Sequence, residues 1–318
     1  YGKALQQAGR NEEALAAYHK SIEIDPHHGD AYNNIATLYH QGGNLQDAIS
    51  WYHEALRRYP DYDEIYTNLG DAYSRMGDFG KAAQVYEKAL SLDRTKGGTW
   101  SNYGLILMEE GKLDEAADAY LKAIDLSPQL AEPYNNLGNL LSAQGNHELA
   151  LEQYQQAIAR SPNEPVEIEI NMATTYLQLN QVANAAKVLD EAISEGRVSA
   201  THFYHLGRVF GYQAQADSAE VAFIRAIELN ETDARSHAAL GELYAAEGRF
   251  QDAIEQFRRA LELRPQYDRA LFGLGKSLDS SGSAAEAVEA YLAFLKAWNQ
   301  HDDRRRQVER RLVELTGH

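Results

Sequence analysis

The chain has 318 residues, a formal net charge of −17 and no cysteine. The acidic balance argues against a nucleic-acid partner, because phosphate binding needs a basic surface. The absence of cysteine excludes a disulfide framework, thiolate metal sites and cysteine nucleophiles, and no apolar run is long enough to span a membrane.

The predicted elements follow a period of 34 residues along nearly the whole chain. A small residue returns at Ala14, Ala48, Ala82, Ala116 and Ala150. An aromatic residue returns at Tyr18, Tyr52, Tyr86, Tyr120 and Tyr154. After one additional residue the second series continues with Leu189, Phe223, Phe257 and Tyr291. A fixed period of this length predicts a stack of identical supersecondary units.

Residues 131–164 show how one unit is built. Tyr134, Leu137 and Leu141 recur at the spacing of one helix face. Gly145 ends this helix, and a second apolar stripe follows over residues 150–158. Pro162 ends the second helix, because proline disfavours helical geometry at the residue before it. Each repeat is therefore predicted to be two helices joined by a turn.

The order aromatic, Leu-Gly, Tyr, Ala, aromatic, Ala and Pro resembles the tetratricopeptide repeat over residues 1–298. This resemblance implies an all-α fold, a right-handed superhelical solenoid of about nine helix–turn–helix repeats. It also implies that the first helix of each repeat lines a concave groove and that the second helix faces outward.

The first repeat, residues 1–28, is truncated. Because the sequence starts at Tyr1 within this repeat, we expect the chain to be a fragment or a processed product. Four regular repeats follow over residues 29–165. Each carries an asparagine at the same register, and the next repeat continues the series, which comprises Asn34, Asn68, Asn102, Asn136 and Asn171.

These asparagine-bearing repeats resemble the repeat superhelix of the O-linked N-acetylglucosamine transferases, whose catalytic part is absent here. The resemblance implies that the asparagines hold the backbone of an extended peptide. An Asn amide has a donor and an acceptor, so it can pair with both groups of a peptide unit. We also place four further polar side chains off the packing stripe, toward the groove: Asn33, Asn135, Asn139 and Asp71. The alternative is that the asparagines are solvated or hydrogen-bond between repeats.

The repeat at residues 166–199 is irregular. It follows an extra residue near Asn163-Glu164-Pro165, and it has Ala173 in place of glycine and Gly196-Arg197 in place of the proline turn. Stability in repeat arrays is close to a sum of units and neighbouring interfaces. We therefore expect a weak or bent joint at residues 160–200, with faster amide exchange.

Residues 200–300 form three further repeats without the asparagines. Their groove instead offers Tyr204, His205 and Arg208, followed by Arg235, Arg269 and Lys276. Groove positions in residues 29–165 are mostly acidic, at Asp30, Glu64, Asp71, Glu109 and Glu132. The groove is therefore predicted to have two chemical halves, and a bound segment to place basic residues beside the acidic half.

Residues 301–318 are predicted to form a capping helix that covers the cluster around Phe294 and Trp298. Its apolar face is Val308, Leu312 and Leu315, and Asp302-Asp303 can cap its start. The alternative is a helix that docks or dimerises.

No phosphate-binding, nucleophile-elbow or zinc-protease motif is present, so we expect no enzyme activity and no cofactor. His202 and His205 share a helix face, but packing is favoured over a metal site. We predict a protein-interaction scaffold that binds an extended partner segment, without nucleic acid or membrane insertion. The alternatives are an assembly subunit of a larger complex, which docks by its outer face, and the substrate-binding arm of an enzyme. The sequence leaves the compartment open for a soluble protein, cytoplasmic or periplasmic.

Overall fold

The computed structural model describes residues 1–161, 166–298, 300 and 302–317. The chain divides into two compact units, residues 1–165 and 166–318, which we call the first unit and the second unit. The turn expected at Pro162 and the extra residue near Asn163-Glu164-Pro165 lie outside the described residues. The division falls within residues 160–200, and the faster amide exchange expected there stays a prediction.

Within the described residues both units are entirely helical, which confirms the all-α prediction. The helices of the first unit are α1 (Gly2–Gln7), α2 (Asn11–Ile24), α3 (Gly29–Gln41), α4 (Leu45–Leu56), α5 (Asp63–Arg75), α6 (Phe79–Leu92), α7 (Gly97–Glu109), α8 (Leu113–Leu126), α9 (Glu132–Ala143) and α10 (His147–Arg160). Those of the second unit are α11 (Val166–Gln178), α12 (Val182–Ser194), α13 (Ala200–Tyr212), α14 (Ala216–Leu229), α15 (Ala234–Ala246), α16 (Phe250–Leu263), α17 (Asp268–Ser280), α18 (Ala284–Ala297) and α19 (Asp303–Thr316).

Consecutive helices pair as hairpins, and the hairpins stack. Within each unit, the first helix of a repeat also contacts the first helix of the next repeat. The second helices make no comparable contact with one another within the described residues. The first helices are therefore the more crowded layer, on the inner side of each stack. We call them the inner helices: α3, α5, α7 and α9 in the first unit, and α11, α13, α15 and α17 in the second.

On the inner helices α5, α7, α9, α13, α15 and α17, a glycine makes room for an aromatic ring of the hairpin partner, whereas α3 has Ala36 at this position. A Cβ atom built on Gly138 would lie 2.6 Å from Tyr154 Cε1, and one on Gly70 would lie 2.6 Å from Tyr86 Cε1. No real Cβ contact is that short, so the ring fills the space that glycine leaves. This contact explains why the Leu-Gly pair and the later aromatic residue keep a constant spacing.

The turn inside each hairpin needs a left-handed residue. Glycine takes this place with a positive φ from Gly9 to Gly145, and again at Gly248 and Gly282. In the second unit, the same turn uses Asn180 and Ala214, each with a φ of 55°. A residue with a Cβ atom pays about 1–2 kcal/mol for this conformation, asparagine less than alanine. Ala214 is therefore a strained position of the second unit.

The predicted helix after residue 301 forms as α19. Asp302 Oδ1 accepts a hydrogen bond from the backbone N–H of Arg305 at 3.0 Å, so Asp302 is the N-cap. Val308 is buried in the same apolar cluster as Phe294, and Leu312 and Leu315 pack against that cluster. The helix thus covers the last hairpin of the second unit, as a cap would.

Candidate peptide-binding surfaces

The recurring asparagines lie at one register of consecutive inner helices. Asn34, Asn68, Asn102 and Asn136 stand on α3, α5, α7 and α9 of the first unit, and all four are half-buried. Asn171 stands on α11 of the second unit and is also half-buried. The structure thus brings the four amides of the first unit onto successive helices of its inner layer.

The preceding register is buried between inner helices. At this register Thr67 Oγ1 lies 3.1 Å from Thr99 Oγ1, a hydrogen bond that joins α5 to α7. Asn33 and Asn135 occupy the same place and are only 9% and 8% exposed. The expectation that they stand off the packing stripe is therefore not met, because this register faces the next inner helix. Their contact with a peptide stays a prediction.

Asn102 is bound within the protein. Its Nδ2 donates to Asp71 Oδ1 at 2.8 Å, and the hydroxyl of Tyr86 donates to the same oxygen. Burial raises the pKa of Asp71, and the two hydrogen bonds oppose that rise. The three side chains tie α5, α6 and α7 together, so Asn102 follows the alternative interpretation of hydrogen bonding between repeats.

In two repeats of the first unit, the residue at the register of Asp71 binds the hydroxyl of the hairpin tyrosine. Asn139 Oδ1 accepts from Tyr154 Oη at 2.8 Å. Leu105 occupies this register in the repeat between them, and there the buried Tyr120 Oη has no partner within the described residues. Sequence reasoning assigned Asp71 and Asn139 to the groove and missed this function. The constant spacing of 15 residues to a tyrosine was the available signal.

Three amides of the series have no side-chain partner within the described residues: Asn34, Asn68 and Asn136. Asn34 and Asn68, together with Asn33, line a hollow of about 1250 Å³ in the first unit. The acidic side chains of Asp30 and Glu64 line it as well. Lys3 and Lys20 line the same hollow, so Asn34 and Asn68 lie among charged side chains of both signs.

In the second unit, cationic side chains gather around Tyr204, which is only 6% exposed. The guanidinium carbons of Arg208 and Arg235 lie 5.9 Å and 5.4 Å from the centroid of its ring. Arg269 Nη1 donates to Tyr204 Oη at 3.5 Å. A guanidinium over an aromatic face is attracted by the ring quadrupole. The Tyr204 side chain therefore packs among these cations and positions them, and it is not exposed in the groove.

His205 occupies the asparagine register of α13. Its Nδ1 atom is buried and has no hydrogen-bond partner within the described residues. Burial, and then the charges of Arg208, Arg235 and His202, lower the pKa of His205 to about 4. The His205 ring is therefore neutral at pH 7, and the positive charges nearby oppose its protonation.

A buried polar cluster that the sequence did not reveal joins the first two repeats of the second unit. Glu169 accepts hydrogen bonds from Arg197 Nε at 3.1 Å and Nη2 at 2.6 Å, and it lies 3.2 Å from His202 Nε2. His202 is fully buried, and its Nδ1 lies 3.0 Å from Ser199 Oγ. Arg197 thus has a packing role in the turn where regular repeats have proline.

The described residues contain no group of three or more histidine, aspartate and glutamate side chains that could hold a metal ion. Among the described helices, none combines the length and the apolar character needed to cross a lipid bilayer.

Family models described as tetratricopeptide repeat match residues 1–61, 28–95, 131–164, 204–268 and 239–302. A model described as TPR repeat matches residues 104–145. Together they cover most of the chain, and the stacked hairpins have the corresponding architecture. The chain belongs to the tetratricopeptide repeat family.

Solved structures show the same fold. A chain of the crystal structure titled APC/C hetero-tetramer Cut9-Hcn1 is 22% identical and superposes with a TM-score of 0.61. The match covers 84% of this chain and 52% of that chain, so this chain spans about half the length of its relative. At this identity the likeness shows the fold alone.

Two structures of MamA also match. One is 22% identical with a TM-score of 0.47, and the match covers 52% of this chain and 96% of that chain. The other is 25% identical with a TM-score of 0.44, and covers 52% and 91%. No curated protein matches the sequence.

Proposed function

We propose that this chain is a non-catalytic scaffold whose inner helices bind an extended segment of a partner protein. The observation that supports this function is the set of partly exposed amides at Asn34, Asn68 and Asn136. They recur at one register of the inner helices, and they have no side-chain partner within the described residues.

The chemistry of these amides suits a peptide backbone. Each amide offers both a donor and an acceptor, so it can bind the C=O and N–H of a peptide whatever its side chains are. Neighbouring packed helices lie about 8–10 Å apart, and an extended peptide advances about 3.3–3.6 Å per residue. One amide would therefore meet about every third residue of the partner.

An assembly subunit that docks by its outer helices is the second candidate. Leu121 on α8 and Leu149 on α10 support it, because they are 53% and 50% exposed on second helices. The third candidate, the substrate-binding arm of an enzyme, uses the same amides, and the full gene decides it.

Affinity capture from the native source tests the first two candidates. The triple variant Asn34→Ala, Asn68→Ala and Asn136→Ala should lose the captured partner, since each lost hydrogen bond costs about 0.5–1.5 kcal/mol. Asn184→Ala on the outer helix α12 is the matched control and should retain it. Loss of the partner in Leu121→Ser/Leu149→Ser, with retention in the triple variant, would assign the function to the outer helices instead.

A further inference from the structure

We propose that the inner helices of the second unit bind an acidic peptide segment, whose carboxylates pair with Arg208 on α13 and Lys276 on α17. This inference rests on the proposed peptide-binding function and adds the chemistry of the partner.

Ion pairing separates the cations of this surface into two kinds. Arg235 Nε is paired with Asp233 Oδ1 at 2.9 Å. Arg269 Nε donates to Glu242 Oε1 at 2.5 Å, and its Nη2 binds the other oxygen of the same carboxylate. Arg208 and Lys276 have no carboxylate partner within the described residues. Arg208 is partly exposed and Lys276 is exposed, so both can pair with carboxylates of a ligand.

Arg208 is also free of the packing role that its register has in the first unit. There, Asp71 and Asn139 bind the hydroxyls of Tyr86 and Tyr154. In the hairpin of Arg208 the tyrosine is replaced by Phe223, which has no hydroxyl to bind. The guanidinium carbon of Arg208 instead lies 5.9 Å from the centroid of the Tyr204 ring, near the outer limit of cation–π attraction.

A second cationic position lies around Lys276, whose Nζ is 5.6 Å from the centroid of the Phe272 ring. Lys276 lines a cavity of about 330 Å³ together with Arg310 of α19. Arg310 also has no ion-pair partner within the described residues. The nearby carboxylate of Asp279 is already bound by Arg311, at 2.7 Å from Nε and 2.8 Å from Nη2.

The two positions set a spacing for the ligand. Arg208 and Lys276 occupy the same register two repeats apart, so their helices are separated by about 16–20 Å. An extended peptide covers that distance in about five or six residues. The intervening Glu242 is neutralised by Arg269 and does not repel an anion there. The expected segment therefore has acidic residues about five or six positions apart.

Selection from a random library of twelve-residue peptides, with the full chain as bait, tests the proposal. We expect Asp and Glu to be enriched among the selected peptides. In titrations, Arg208→Gln/Lys276→Gln should weaken the binding of an enriched peptide about tenfold, because two ion pairs on a partly exposed surface are lost. Arg225→Gln/Arg259→Gln removes the same charge from the outer helices α14 and α16 and should leave affinity unchanged. Melting curves of both variants establish that they fold.

The outcomes separate this inference from the proposed function. Selected peptides that are neutral or basic, or that bind Arg208→Gln/Lys276→Gln as tightly as the wild type, would overturn the acidic-segment proposal. The scaffold function would then still stand, because peptides are bound. Equal weakening by the outer-helix control would also overturn it, since the effect would then depend only on net charge. No enrichment of any peptide would overturn both proposals.

Discussion

The two units build the same hairpin with different chemistry at the same registers. In the first unit, the hairpin tyrosines Tyr86 and Tyr154 bind polar side chains of the inner helices. In the second unit, Phe223 and Phe257 take their place, and the inner helices carry Arg208 and Glu242 there. Apolar packing is conserved while hydrogen bonding is not. A hydroxyl lost from a hairpin therefore frees an inner-face position for another function.

The largest expected effect concerns the cap of the second unit. Deleting residues 302–318 removes Val308, Leu312 and Leu315, which pack in the same cluster as Phe294, and so exposes Phe294. Each such side chain contributes roughly 1.5–3 kcal/mol as an upper estimate, less where it is partly buried. We expect a lower Tm, aggregation, and faster amide exchange in residues 268–298 than in the first unit. An unchanged Tm with loss of a partner would instead make α19 a docking helix.

The second prediction exchanges the chemistry of one register between the units. His205→Asn places the residue of the first unit on α13. The folded-state pKa of His205 is about 4, below its usual 6.5, so the unfolded chain binds more protons between these values. Wild-type stability should therefore fall as pH falls from 6.5 to 4, by roughly 2–3 kcal/mol more than in the variant. Urea titrations across this range measure the difference, and parallel curves would contradict it.

The third prediction compares the glycine–aromatic contacts. A Cβ on Gly138 would lie 2.6 Å from the ring of Tyr154, whereas one on Gly241 would lie 3.0 Å from the ring of Phe257. Overpacking of this kind costs about 1–3 kcal/mol. We expect Gly138→Ala to be the more destabilising substitution in chemical denaturation. If Gly241→Ala costs as much, the packing of the two units is equally tight.

The fourth prediction removes single hydroxyls from the first unit. Tyr120→Phe should stabilise the chain by about 1 kcal/mol, because its buried Oη has no partner within the described residues. Tyr86→Phe should destabilise it by at least as much, because Asp71 loses a donor. The two variants differ by the same atom, so each is the control for the other. If both substitutions changed the stability in the same direction, the contrast between the positions of Asp71 and Leu105 would be wrong.

The smallest expected effect is at the strained turn of the second unit. Ala214→Gly should stabilise the chain by about 0.5–1 kcal/mol, because glycine adopts a φ of 55° without a Cβ clash. Gly248→Ala, the reverse change at the equivalent turn, should destabilise it by a similar amount. Thermal melts of the pair provide the measurement. Destabilisation by Ala214→Gly would mean that its methyl group makes a packing contact that outweighs the strain.

The sequence was sufficient for features that depend on residues within one repeat. The period, the hairpins, the Gly138–Tyr154 contact and the Asp302 cap follow from local spacing. Local spacing does not show whether an asparagine side chain is free to bind a ligand, because this depends on the residue 31 positions earlier. That residue is Asp71 for Asn102, which it binds, but Leu105 for Asn136.

Two further features of the second unit also escaped prediction. From the sequence, the charged residues Glu169 and Arg197 are expected to lie at the surface, and only the fold brings them together in a buried site. The left-handed conformation of Ala214 was invisible for another reason, because alanine normally avoids it. In both cases the geometry of the stack overrides the usual preference of the residue.

The cluster of Glu169, Arg197 and His202 limits how such an array can grow by gene duplication. Its first two residues belong to the repeat at 166–199, but His202 belongs to the next repeat. A tandem copy of residues 166–199 alone would place Ile168 of the new copy where His202 now stands beside Glu169. The upstream glutamate would then keep its arginine and lose its histidine, and only the downstream copy would keep both. A single 34-residue period reproduces the complete cluster only if the copied segment runs from Glu169 to His202, across the boundary between the two repeats.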